Sequence, residues 1–143
     1  MEDIPIIPLV SRERAFDLFN QLIIDGLFDF QGSQIKVDFG DFAHIAGEPE
    51  RIISISWIKP TLEAPAEVWQ TQPSKSRKRE QGIIRQTYLK WLRSSDAEVE
   101  KLFAVATERT PFGTLRLRTW FVIRNPDTYL RYLRKGKSIM KEE

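Results

Sequence analysis

The chain has 143 residues, 41% of them hydrophobic, with nine Phe and four Trp, which is one domain's length with apolar bulk enough for a core and excludes a disordered chain. It has no Cys, which excludes disulfides, thiolate metal sites and cysteine nucleophiles and suits a cytoplasmic location. The formal net charge of +2 hides an asymmetry: residues 1–72 carry 5 Lys/Arg against 12 Asp/Glu, and residues 73–143 carry 17 against 8, so either the second half binds a polyanion or the two halves pack on each other.

The opening "MEDIPIIPLVSRER" is acidic first and broken by Pro5 and Pro8, unlike a signal or transit peptide. No apolar run approaches ~18 residues, so no membrane-spanning helix is expected. Over residues 10–28, Phe16, Phe19, Ile23 and Leu27 recur at helical spacing behind Ser11, a natural N-cap, and predict an amphipathic helix closing one side of the core. "GSQIKVDFG" alternates Ile35, Val37 and Phe39 against Lys36 and Asp38, a short strand between glycines.

"DFGDFAHIAGEPER" holds the chain's one histidine, His44. Asp38, Asp41 and His44 at three-residue spacing suit a hard cation, but the spacing matches no strong metal signature and no second His completes a zinc site. His44 has the intrinsic pKa region for acid/base work near neutrality, and a lone His among phenylalanines also suits a structural place beside the core. In "GEPERIISISWIKPTLEAPAEVWQTQ", Pro49 can open a helix, Pro60 ends or kinks what precedes it, and "AEVWQTQ" reads as extended.

"PSKSRKREQG" reads as a flexible basic loop, and its Lys75, Arg77, Lys78 and Arg79 either contact a phosphate backbone or merely solvate an edge. "IIRQTYLKWL", "EKLFAVATER" and "TLRLRTWFVI" predict three strands, the last two joined by the hairpin loop "TPFG". Strict alternation puts Thr87, Leu89 and Trp91 on the core face and Tyr88 and Lys90 on the other. In the last strand it puts Leu115, Leu117, Thr119 and Phe121 opposite Arg116, Arg118, Trp120 and Val122. Arg116 and Arg118, like charges on one face, call for acidic partners or an anionic ligand, and Thr119 on an apolar face needs a hydrogen bond. Residues 124–143 read as a short capped helix followed by a fraying basic tail. Helices first and strands later predict a single α+β domain over 1–143, its N-terminal helices packed on a three- to four-stranded antiparallel sheet. No P-loop, G-x-G-x-x-G or G-x-S-x-G occurs, which leaves nucleotide-fuelled chemistry, a Rossmann cofactor and a serine-hydrolase elbow without support.

Taken in order, "FAHI", "RIISISWI", "TLEAPAEVWQT", "TYLKWL", "LFAVAT" and "LRLRTWFVI" resemble the phage-associated branch of the barnase–EndoU–colicin–RelE nuclease superfamily, over residues 39–123. The resemblance implies an endoribonuclease of toxin or phage-conflict type that works without metal or other cofactor. His44 would be its acid/base residue, Lys90 and Thr119 its phosphate contacts, and Tyr88 and Arg85 further candidates. RNA is the implied substrate, and an inhibitor or immunity protein the implied second partner. Arg85, Lys75, Arg77, Lys78, Arg79, Arg116 and Arg118 are the candidate RNA-binding cations.

Cleaving RNA without metal needs a base for the 2′-hydroxyl, an acid for the leaving 5′-oxygen, and donors for the charge on the phosphorane. One His fills one proton-transfer role per step, so Glu67, Tyr88 or Lys90 would supply the other. Two alternatives stand beside this reading: a non-catalytic RNA-binding or ribosome-associated module, and a protein-interaction domain whose acidic half meets a basic partner.

Overall fold

The structure, a computed structural model, describes residues 4–38, 40, 43, 48–94 and 99–141. The first helix, α1 (Arg12–Asp25), starts where the Ser11 side chain accepts a hydrogen bond from the Arg14 amide at 3.2 Å. Strands β1 (Leu27–Phe28) and β2 (Gln34–Lys36) form a small hairpin, whose turn is held by Asp29 Oδ1 accepting from the Gln31 and Ser33 amides. Helix α2 (Pro49–Ile53) opens on proline, runs through a 3-10 turn (Ser54–Trp57), and continues as α3 (Ile58–Glu63). Pro60 breaks nothing: it lies in the first turn of α3, where its missing N–H is not needed.

The sheet follows as β3 (Glu67–Thr71), β4 (Ile84–Leu92), β5 (Lys101–Arg109), β6 (Leu115–Val122) and β7 (Lys137–Lys141), with α4 (Ser76–Glu80) between β3 and β4 and α5 (Pro126–Leu133) before β7. Its order is β1-β2-β6-β5-β4-β3-β7. The expected α+β character holds, and β3 to β6 are an antiparallel meander. The sheet is nevertheless seven strands wide rather than three or four, and β2 joins β6 in parallel. Its added edge strands are short, and β7 is the basic tail, which pairs with β3 instead of fraying. The connector expected to be a loop carries α4, its turns closed by backbone bonds such as Arg79 N to Lys75 O.

Both sheet faces are covered, and this changes which residues are inside. On the first face, α1, α2, the 3-10 turn and α3 bury Phe19, Trp57, Tyr88, Phe103, Leu117 and Trp120. Phe19 stacks on Trp120 at 5.8 Å, and Trp57 meets Phe103 edge-on at 5.5 Å. Trp57 Nε1 donates to the Ile7 carbonyl at 2.8 Å, which straps the N-terminal segment to the core. On the second face, α5 covers a smaller cluster that includes Trp69, Leu89, Ala104, Ile123 and Leu133. With a helical layer on each side, alternation separates two cores rather than core from solvent. Tyr88 is therefore fully buried in the first core, not exposed opposite it, and Leu89 belongs to the second.

Alternation also fails in β6. Thr107 pairs with Leu117 and Ala106 with Thr119, so Arg118 is the extra residue of a β-bulge. The bulge carries Trp120 to the first core beside Leu117 and turns Thr119 and Phe121 to the second face. One inserted residue flips every side chain after it.

Candidate phosphate cleft

The strand register builds a site on the second face. Thr87 of β4 pairs with Ala106 of β5, which pairs with Thr119 of β6, so two hydroxyls flank one small side chain. The row above holds Arg85 opposite Glu108, with Arg118 on the bulge beside them. The row below holds Leu89, Ala104 and Phe121. The alanines keep the centre of the face low while longer side chains rise around it. Helix α4 and its lead-in bring Ser74, Lys75 and Lys78 over the upper row, and α2 brings Arg51 from the far side. The result is a cleft of about 320 Å³.

Its charges are ordered. Glu108 is largely buried, accepts from Lys78 Nζ at 2.6 Å and forms an ion pair with Arg118 Nε at 3.3 Å. Arg51 is anchored twice: its carbonyl accepts from Trp120 Nε1 at 2.6 Å, and its guanidinium pairs with Glu48 at 3.0 Å. That guanidinium lies 5.9 Å from the centre of the Phe121 ring, within cation–π reach. Burial raises the Tyr129 phenol above its ordinary range, and the neighbouring Arg85 guanidinium opposes the rise. The Thr119 Oγ1 is buried and has no hydrogen-bond partner among the described residues. Arg79 holds the loop that forms the rim, donating to the Pro73 and Ser74 carbonyls at 2.8 and 2.9 Å. The arrangement can grip a tetrahedral anion: several cations at fixed height, a free hydroxyl, and one carboxylate among them.

The sequence-derived candidates divide. Thr119, Arg85, Lys75, Lys78 and Arg118 meet in this cleft. Lys90 does not, because it leaves β4 on the first face, where its ammonium donates to the Ala64 carbonyl at the end of α3. Tyr88 donates to Asp29 Oδ2 at 2.8 Å and accepts from Gln86 Nε2 at 2.7 Å, which ties the β1–β2 hairpin to the sheet. Burial first, and the Asp29 carboxylate second, hold its phenol far above the ordinary range, where it is a poor proton donor. Arg116 turns to Asp38 at 2.6 Å, and Arg118 to Glu108, so each arginine of "LRLR" has its carboxylate. Arg77 lies on α4 outside the cleft lining. Glu67 is held by Trp69 Nε1 at 2.8 Å and Arg134 at 3.1 Å. His44 and Asp41 lie outside the described residues, and the expected Asp38, Asp41 and His44 grouping with them. Glu108 and Arg51 were not among the candidates. Glu108 was legible once the "TPFG" hairpin is drawn, because counting back from the loop sets it opposite Arg116; nothing near Arg51 in the sequence marks it.

Fold and cleft define a small α+β protein that gathers cations on one face of a mainly antiparallel sheet. A family model described as phage-Barnase-EndoU-ColicinE5/D-RelE like nuclease2 matches residues 12–141, and the chain belongs to that family of nucleases. The match takes in all of α1 and all of β7, so the N-terminal helix and the C-terminal strand are part of the family unit. No curated protein and no solved structure matches the chain. Among the described residues no helix is long and apolar enough to cross a membrane.

Proposed function

We propose that the chain is an endoribonuclease of toxin or phage-conflict type that cleaves single-stranded RNA by attack of a 2′-hydroxyl on the adjacent phosphate. The observation that supports this best is a cleft in which Arg51, Lys75, Lys78, Arg85 and Arg118 surround Thr119, whose buried hydroxyl has no partner among the described residues. In this reading the scissile phosphate sits between Arg85, Lys75 and Arg118, and Thr119 donates to a phosphorane oxygen as charge builds there. Glu108 takes the proton from the 2′-hydroxyl, whose oxygen then attacks phosphorus. His44 protonates the 5′-oxygen as its bond to phosphorus breaks, leaving a 2′,3′-cyclic phosphate and a free 5′-hydroxyl. Glu108 replaces Glu67, Tyr88 and Lys90 as the second proton-transfer group, since it lines the cleft and those three do not.

The test is cleavage of end-labelled single-stranded RNA by the purified chain in EDTA, beside DNA of the same sequence. RNA is expected to be cut to cyclic-phosphate ends and DNA left whole, with His44→Ala inactive at an unchanged circular-dichroism spectrum. Equal cleavage of DNA would overturn the reading. Salt-sensitive RNA binding without cleavage, unaltered by His44→Ala, would make the chain a binding module instead.

A further inference from the structure

A second cavity, of about 490 Å³, adjoins the phosphate cleft where β6 runs into α5. The two share a wall, since Arg51 and Phe121 line both. Three aromatic rings, Phe121, Tyr129 and Tyr132, line the second one. Phe121 meets Tyr129 edge-on at 5.7 Å, and Tyr129 lies 6.1 Å from Tyr132, a residue about half exposed. Phe121 is set by the bulge in β6 and capped by Arg51, and Tyr129 and Tyr132 stand on α5, which Asn125 caps through the Thr128 amide. Glu48, Glu50, Arg124, Asn125 and Thr128 supply polar groups around the rings.

An aromatic cavity sharing a wall with a cationic cleft repeats the chemistry of a nucleotide, with a flat apolar ring joined to a phosphate by a short sugar. Resting on the ribonuclease reading above, we infer that this cavity is a base subsite, which takes the nucleobase next to the cleaved phosphate and stacks it against Tyr132 and Phe121. Stacking on aromatic side chains tolerates every base, so the subsite positions the strand more than it reads sequence. Arg51, between the two cavities, is placed to touch the phosphate on one side and the ring system on the other. A base held there fixes which phosphate lies under Thr119, and therefore where the chain is cut.

The experiment uses the full chain, a short RNA with a single cleavage site, and two versions of that RNA carrying one abasic nucleotide on the 5′ or the 3′ side of the site. One of the two abasic RNAs is expected to lose roughly ten- to a hundred-fold in cleavage efficiency, while the other is cut nearly as well as the intact strand. Tyr132→Ala should weaken the intact RNA by a similar factor and leave the affected abasic RNA unchanged, and Tyr132→Phe should restore cleavage, since a ring suffices. Tyr132 is half exposed, so its truncation does not threaten the fold, which circular dichroism checks. If both abasic RNAs are cut as fast as the intact one, or if Tyr132→Ala slows intact and abasic RNA alike, the base subsite is refuted while the nuclease reading stands. If no RNA is cut or bound, both fall.

Discussion

Replacing Thr119 by valine separates what the residue does for the fold from what it does for the site. Valine keeps the shape and the β-branch that suit a strand and removes only the hydroxyl. That hydroxyl is a buried oxygen with no partner among the described residues. A buried polar group left unsatisfied costs about 1–3 kcal/mol, and Thr119 as a residue is only partly buried, so a gain of about 1 kcal/mol is expected. For a chain of this size that raises the thermal midpoint by about 2–4 °C and the urea midpoint by roughly 0.5 M. The proposed chemistry moves the other way. Loss of one preorganised donor to a phosphorane costs about 10²- to 10³-fold in kcat, with little change in affinity, because the bond tightens only as charge develops. Thr119→Ser should keep most of the activity. The measurements are urea denaturation by fluorescence and single-turnover RNA cleavage on the same preparations. A less stable valine variant would show that the hydroxyl has a structural partner after all; a more stable variant of full activity would remove Thr119 from the chemistry.

Glu108→Gln should split binding from cleavage: removing the charge between Lys78 and Arg118 tightens RNA binding at low salt and steepens its salt dependence, while cleavage falls by at least 10²-fold; weaker binding with cleavage intact would be the opposite of what its place predicts. Tyr88→Phe takes the shared hydroxyl from Asp29 Oδ2 and Gln86 Nε2 and should cost about 1–3 kcal/mol in urea denaturation, with cleavage per folded molecule unchanged. Because the folded protein holds the Tyr88 proton more tightly than the unfolded chain, its contribution is complete below pH 10 and declines as pH rises beyond that; the wild type should lose stability above pH 10 more steeply than Tyr88→Phe, and parallel curves would contradict the buried, raised phenol. At Gly136 a Cβ would overlap the Gln70 carbonyl, so Gly136→Ala should loosen the β3–β7 pairing, seen as faster amide exchange along Lys137–Lys141, and unchanged exchange there would refute the clash.

Much of the framework was legible because it rests on local chemistry. Ser11 caps α1, Asn125 and Pro126 open α5, and Gly113, at φ 87°, closes the β5–β6 hairpin that "TPFG" announces. The carboxylate partners of Arg116 and Arg118 could be expected for the same reason, since two like charges so close on a strand need neutralising. What escaped depends on the layers. A strand of period two says which residues share a face, but it cannot say that helices cover both faces, and so Tyr88 was placed outside a core that in fact buries it. The edge strand β1 has two residues, too short to carry a pattern at all, whereas β2 falls within the alternation of "GSQIKVDFG".

The bulge at Arg118 shows why the site was harder to see than the fold. Without it, strict alternation would leave Thr119 in line with Leu117, inside the first core, and would point Trp120 away from Phe19. With it, the same eight residues give the first core an indole and give the second face an arginine and a hydroxyl side by side. The Trp120 indole then reaches back to the Arg51 carbonyl, so the residue that fills the core also fixes the cation that links the two cavities. Core packing therefore specifies the bulge strongly, because undoing it would expose a fully buried tryptophan. Thr119 and Arg118 are held in the cleft by the stability of the opposite face, which is how a hydroxyl with no partner among the described residues can keep a fixed place.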